Sequence, residues 1–477
     1  MTDMPFATLI AGGTLLTEEG PLAADLAIGA DGRIAAIGAP GSLPGAAETI
    51  DAAGLWVMPG AIDVHVHFRE PGMTHKEDWA TGSAAAALGG VTCVFEMPNT
   101  DPPVDTVAHF GIKRAAAEAQ SVVDFGIYGL LGEHNLDQLE PLAAAGVCGF
   151  KLFLGNTTGN LPCPNDGAVL EGLEILARLG LRCSVHAENS PILFWRQKRL
   201  QDAGRTDPLA HLAARSDIVA IEALTRIATL ADWTGARIHI VHESCAGSLP
   251  FIRFFKDRGT DLTVETLPQY LWLAAEEMTG EKGALMRMNP PIRQRAHQAP
   301  LWAGLIDGTI DMIATDHAPH APEEKIAASI WDVACGFCGV ETSLSLMLTA
   351  VAEGRLSAAA LVRVMCGAPA RAFGLWGRKG VLRVGADGDV VLVDPARRRT
   401  IRAADLASRG RISPFDGVEV TGVPLRTWVR GRTVARDGQI VAPPGWGRMV
   451  QVEMPPPAPR NTASTLDAVC RPGARPW

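Results

Sequence analysis

Eight apolar runs of strand length, each followed by an Ala/Leu-rich stretch of helical length, occupy the middle of this chain at residues 62–67, 91–97, 124–130, 147–154, 181–186, 236–242, 261–265 and 311–317. Alternation of this kind is the signature of a parallel βα repeat, and eight units is the number that closes into a barrel. The runs are almost continuously apolar, as expected of strands covered on both faces. Residues before 57 read differently: short apolar segments alternate with Gly-rich turns such as Ala11-Gly-Gly13 and Asp31-Gly32. That pattern of short antiparallel strands returns near the end, in Asp389-Val-Val-Leu-Val-Asp394 and Asp437-Gly-Gln-Ile-Val441. The expected fold is therefore α/β, a (β/α)8 TIM barrel over residues 58–375 with a small β-sandwich built jointly from residues 1–57 and 376–445. Residues 446–477 contain Pro455-Pro-Pro-Ala-Pro459 and no periodicity, and are expected to form an extended or disordered tail.

A chain of 477 residues with 47% hydrophobic and 20% charged side chains has ample material for a large core, which excludes a disordered or fibrous protein. A net charge of −9 opposes binding to nucleic acid or an anionic membrane, so an anionic small-molecule substrate needs local cations. The N-terminus lacks a basic segment followed by an apolar core, and no apolar stretch of about 18 residues is present, which predicts a cytoplasmic protein. Nine cysteines are too sparse for a disulfide framework. Cys335-Gly-Phe-Cys338 has the spacing of zinc and redox sites but lacks a second pair, and is read as two buried thiols flanking a glycine turn.

Several of the eight runs end in a metal-capable side chain, and barrel active sites form at the C-terminal strand ends. His65 and His67 close the first run, His186 the fifth, His242 the sixth and Asp316 the eighth. Residues two apart on a strand share a face, so His65 and His67 can point together into the barrel mouth. One strand-end histidine is ordinarily a hydrogen-bonded core residue; four at equivalent places argue for a shared metal site. Lys151 lies inside the most apolar run, Gly149-Phe-Lys-Leu-Phe-Leu154. Burying an unpaired ammonium is costly, so this lysine is neutral, paired, modified or snorkelling to the strand end. A neutral amine can add CO2 to form a carbamate whose two oxygens could bridge two cations roughly 3.5–4 Å apart.

Longer motifs carry a resemblance. Asp63-Val-His-Val-His-Phe-Arg-Glu-Pro-Gly72, Thr74-His-Lys-Glu-Asp78, Glu96-Met-Pro-Asn-Thr100, Ile313-Ala-Thr-Asp-His-Ala-Pro-His320 and Glu323-Glu-Lys325 resemble the cyclic amidohydrolases and, within them, the dihydroorotases. The likeness runs from about residue 55 to 445 and is nearest to the dihydroorotase domain of the animal multifunctional pyrimidine-synthesis protein, including Lys151-Leu-Phe-Leu154 and Pro443-Pro-Gly-Trp-Gly447. It implies a zinc-dependent enzyme of pyrimidine biosynthesis that interconverts N-carbamoyl-L-aspartate and dihydroorotate. His65, His67 and Asp316 would hold one Zn2+, His186 and His242 the other, with carbamylated Lys151 between them. Asp316 would also carry the proton in catalysis. Arg69, Asn99 and His320 would bind the substrate carboxylate, Asn289 the ring amide, and Glu265 an additional metal, while Thr157 and Thr158 would ride on a mobile loop. The resemblance also implies a homo-oligomer and association with other pyrimidine enzymes.

Elementary chemistry agrees with the role given to Arg69, whose planar donor fork matches a carboxylate, although a salt bridge to Glu70 or Asp78 would also satisfy it. Two positions depart from the family pattern: Gln269 follows Pro268 where a histidine is usual, and Glu243 follows His242 where a small apolar residue is usual. The rivals are an allantoinase or a dihydropyrimidinase/hydantoinase, neither of which needs a carboxylate clamp, and an inactive amidohydrolase-like assembly partner, which should have lost ligands.

Overall fold

A computed structural model describes residues 5–155 and 161–455. Both chain ends contribute to one seven-stranded sheet, in which Trp56–Pro59 lies between the C-terminal strand Val390–Thr400 and the N-terminal strand Thr14–Thr17. A second, four-stranded sheet comes wholly from the N-terminus, with Phe6–Ala11 pairing antiparallel to Asp25–Ile28 and parallel to Ala46–Asp51. Ile10, Leu26, Ile28, Val57, Leu392 and Trp428 form a buried cluster shared by the two sheets. Alternating apolar residues at period two supply that cluster, which is why the two distant segments read alike in sequence.

Between these segments lie eight parallel strands in chain order: Ala61–Val66 (β1), Val91–Glu96 (β2), Asp124–Ile127 continued by Gly129–Leu130 (β3), Phe150–Phe153 (β4), Arg182–His186 (β5), Arg237–Ile240 (β6), Leu262–Thr266 (β7) and Met312–Ile313 (β8). Every residue of β1, β2 and β4 is buried. Helices cover the outside, among them Asp166–Leu179, started by the Asn165 side chain accepting from Ala168 N–H and ended at Gly180 with φ 70°, a left-handed cap that favours glycine.

The ladder runs as two arcs, of three and six strands, rather than as the one closed ring expected from the sequence. It breaks at Tyr128, which donates from its hydroxyl to Val64 O (3.1 Å) and accepts from Ser184 Oγ (3.3 Å), so the ring spans from β1 to β5. The second break lies between β8 and β1. There the link is a Val66–His317 bridge, the His67 N–H to His317 O bond (2.8 Å) and the bonds Thr315 donates to Asp63 from its backbone N–H and its hydroxyl. Side chains take over where the backbone ladder stops.

Residues 446–455 of the expected tail are tied to the rest of the chain, with Gly447 N–H donating to Ser121 O and Val450 N–H to Phe125 O; residues 456–477 lie outside the described residues. Among the described residues no helix is long and apolar enough to cross a membrane.

Candidate metal centre

His65 and His67 reach one spot because they sit two residues apart at the end of β1, and Asp316 meets them from the end of β8. Their ligating atoms lie within 4.8 Å of one another. Asp316 Oδ1 is 3.0 Å from His67 Nε2 and 3.3 Å from His65 Nε2. From β5 and the turn after β6 come His186 and His242, whose Nδ1 and Nε2 are 3.0 Å apart. Lys151 stands in β4 between these groups, fully buried, its Nζ without a hydrogen-bond partner. All six line one small cavity of about 20 Å³, together with Arg69, Asn99, Phe153, Asn289, Ala318 and Cys335.

Burial dominates the electrostatics. It holds His65, His67 and His242 well below the ordinary imidazole range, so these rings are neutral and their lone pairs are available. Burial also lowers Lys151 to about 8, against the attraction of Glu265 and Asp316, and raises Asp316 to about 7. The backbone is strained here: Arg69, His242 and Asp316 have φ of 64°, 44° and 46°, conformations that cost non-glycine residues about 1–3 kcal/mol each and that collect at functional sites.

Arg69 is buried, donates through Nε to Pro319 O at 3.2 Å, and leaves one terminal nitrogen, Nη1, without a protein partner. Neither Glu70 nor Asp78 pairs with it: Glu70 accepts from Trp79 N–H and Gln120, and Asp78 accepts from Thr81 and pairs with Arg409. Asn99 is hydrogen-bonded to His67, and Asn289 presents a buried Oδ1 with no hydrogen-bond partner. His320 is placed behind Arg69 rather than on the cavity wall; its Nε2 lies 3.4 Å from an Arg69 terminal nitrogen and its Nδ1 3.2 Å from Lys76 Nζ. Glu265 is likewise outside the wall. Its oxygens accept from His65 Nδ1 (2.6 Å), His239 Nε2 (2.9 Å) and the His242 backbone N–H (3.0 Å), which orients two of the histidines. Thr157 and Thr158 lie outside the described residues.

The two departures from the family pattern have structural partners. Gln269 donates to Thr315 O at 2.7 Å, beside Asp316, and Glu243 accepts from Cys245 N–H. Of the Cys335/Cys338 pair only Cys338 is buried, 3.0 Å from Ser408 Oγ; Cys335 is half-buried and opens onto the cavity, because its turn folds over Ala318.

Sequence reasoning missed a supporting ring. Asp63 binds Thr315 and the His65 N–H, a buried Glu96–Lys113 ion pair receives the Phe68 N–H, and Glu77 joins His317 to Ser408. Asp63, Glu96 and Glu77 are charged residues in or beside apolar runs, which is the signal that could have flagged them.

Residues 56–434 match the amidohydrolase family. The chain is 38% identical over 440 residues to an allantoinase of Solibacter usitatus, covering 92% of this chain and 95% of that one. It is 39% identical over 437 residues to a dihydroorotase of Citrifermentans bemidjiense, covering 89% and 99%. Among solved structures it superimposes on the L-hydantoinase (dihydropyrimidinase) of Arthrobacter aurescens with a TM-score of 0.91 at 35% identity, over 94% of this chain and 100% of that one. With a cavity of buried neutral histidines, a carboxylate and an unpaired lysine at the strand ends, this chain belongs to the amidohydrolase family and is a hydrolase acting on cyclic amides.

Proposed function

We propose that the substrate is a cyclic amide bearing a carboxylate, and that the reaction is the reversible ring opening of dihydroorotate to N-carbamoyl-L-aspartate. The observation that carries this reading is Arg69. A buried guanidinium with an unpartnered donor on the cavity wall is costly unless a ligand anion completes it. His320 and Lys76 stand behind it, and Asn99 and Asn289 offer neutral amides on the same wall. In a chain of net charge −9, such a local cation is what an anionic ring needs.

The donor set fits two divalent cations. His65, His67 and Asp316 would hold one, His186 and His242 the other, and Lys151 as a carbamate would lie between; its orphaned Nζ and the unpartnered His242 Nδ1 are the observations that favour a ligand there. When bound, the cations supply an activated water and polarise the scissile carbonyl. Asp316 takes the proton from the attacking water and returns it to the leaving ring nitrogen, base becoming acid. Arg69 fixes the ring by its carboxylate so that the amide carbon faces Asp316.

Within this reading the eight strands act as a (β/α)8 barrel over residues 58–375, its two ladder breaks spanned by the Tyr128 and Asp63–Thr315 contacts. Residues 1–57 and 376–445 form its β-sandwich and residues 446–477 its tail. Zinc is the metal, and the working enzyme is a cytoplasmic homo-oligomer that associates with other pyrimidine enzymes. The 38% identity to an allantoinase supports a second reading, a neutral ureide ring. The test compares kcat/KM of the zinc-loaded enzyme on dihydroorotate, allantoin, dihydrouracil and hydantoin. Dihydroorotate is expected to exceed the neutral rings by at least about tenfold, the equivalent of one charge-assisted contact; preference for allantoin overturns the carboxylate reading.

A further inference from the structure

His186 can offer a cation only one of its two ring nitrogens, and which one depends on where its single N–H proton sits. Its Nδ1 faces His242 Nε2 at 3.0 Å across the cavity, while its Nε2 points away, 2.9 Å from Glu188 Oε2. The same oxygen pairs with Arg215, and all three side chains are buried. A carboxylate held by a guanidinium has no proton to give, so the hydrogen between Glu188 and His186 belongs to the ring. Glu188 thereby forces the Nε2–H tautomer and leaves the Nδ1 lone pair directed at His242.

A second observation narrows the role. Gly155, just beyond β4 and four residues after Lys151, packs on this pair so closely that a Cβ there would stand 2.8 Å from Glu188 Cβ and 3.0 Å from His186 Nε2. Its φ is not in the left-handed region, so only the close approach requires glycine. Arg293, through its bond to Arg215 O at 3.1 Å, steadies the far end of the chain of contacts.

We infer that Glu188, clamped between Arg215 and the glycine at 155, is a positioning residue that sets the tautomer of His186 and so builds the second of the two cation sites. The inference rests on the two-cation reading given above. Glu188 itself does not line the cavity, and it acts only through His186. Among the described residues, Glu265 and Asp63, which orient His65 at the first site, share no hydrogen bond with Glu188, whose partners are His186 and Arg215. The two sites should therefore separate on mutation.

The experiment strips the full-length protein of metal, reloads it with Zn2+ against a competing chelator, and measures metal per chain and each dissociation constant. In parallel, nitrogen-detected NMR of 15N-histidine-labelled, metal-free protein reads the His186 tautomer. Wild type is expected to bind two ions and to show His186 as Nε2–H. Glu188→Ala should weaken the second ion by about 10–100-fold while the first keeps its affinity, with His186 becoming a mixture of tautomers. Glu188→Gln, which retains an acceptor oxygen, should recover part of the loss. Gly155→Ala is an independent route to the same selective weakening, and it keeps the test decisive where Glu188→Ala fails to fold. Two ions with unchanged affinities and an unchanged tautomer in both alanine variants overturn the inference. A wild type that binds fewer than two ions overturns the two-cation reading instead.

Discussion

Lys151 and Lys379 are both buried lysines of one chain, placed in opposite electrostatic surroundings. Lys379 Nζ lies 2.6 Å from Asp124, 2.6 Å from Asp389 and 3.0 Å from Asp387, at the junction where the C-terminal part of the β domain and the residue 446–455 strap meet the start of β3. Burial pulls its pKa down, but Asp389 and Asp387 outweigh that, and the net shift is upward. Lys151 is equally buried and, among the described residues, has no carboxylate within bonding distance, with the face of Phe153 5.0 Å away, so burial wins and the amine falls to about 8. What distinguishes the two lysines is the missing partner, not the burial.

Removing the lysine proposed as the bridge should have the largest effect. Lys151→Ala is expected to reduce turnover to background and to lower metal content below two ions per chain, read by elemental analysis beside a ring-opening assay. Retention of two tight ions and most of the activity would show that Lys151 is not a bridge. Next in size is Asp316→Asn, expected to cut kcat by about 10²–10⁴-fold while much of the metal stays, the usual range for a lost proton shuttle. Full activity restored by excess zinc would confine Asp316 to coordination.

The structural lysine should respond in the opposite sense. Lys379→Met removes the cation shared by the buried Asp124 and Asp389 and the half-buried Asp387 and should cost about 3–5 kcal/mol of unfolding free energy, the usual penalty for breaking a buried ion pair. Its kcat per folded molecule should stay at the wild-type value. Denaturant titration together with active-site counting decides, and a catalytic defect without destabilisation would remove the contrast. Arg69→Met is a smaller, selective change: about 1.5–3 kcal/mol lost on dihydroorotate and far less on dihydrouracil, compared as a double ratio of kcat/KM. Equal losses on both rings would make Arg69 a support of its loop.

The smallest effect concerns pH, where the two lysines carry opposite signs. Lys151 has a folded pKa near 8, below the free-lysine value of 10.5, so between these limits the unfolded chain binds more protons and stability contributed at this site rises with pH. Lys379 is raised in the folded state, so its contribution is complete below the unfolded pKa and is lost as pH rises through the higher folded value. Unfolding free energies measured from pH 8 upward for the metal-free wild type, Lys151→Met and Lys379→Met should show the first slope vanish in one variant and the second in the other.

The contrast also marks how far the sequence could be read. Lys151 stood out because its neighbours along the strand are apolar, a pattern complete within a few residues. Lys379 did not: in Arg378-Lys-Gly380 nothing local separates it from a surface lysine, and Asp124 lies 255 residues away. The histidines at the strand ends were legible for the same reason as Lys151, since period-two geometry places His65 and His67 on one face before anything else is known. That strands from both chain ends build one sheet was visible as repeated strand-and-turn patterning. The interruption of the third strand at Tyr128 was not, because a tyrosine is a good strand former and only its bonds to Val64 and Ser184 explain the break.

His320 and Glu265 show the remaining limit. Motif likeness assigned one to the substrate and the other to a metal; only the folded chain shows the contacts that each also makes, His320 with Arg69 and Glu265 with His65 across 200 residues. Residue types and their spacing along a strand marked which side chains meet at the strand ends, because strand periodicity is a local property. Which nitrogen each histidine turns inward, which arginine keeps a free donor and which lysine goes unpaired were settled by contacts between distant segments, and only the closed tertiary structure brings those together.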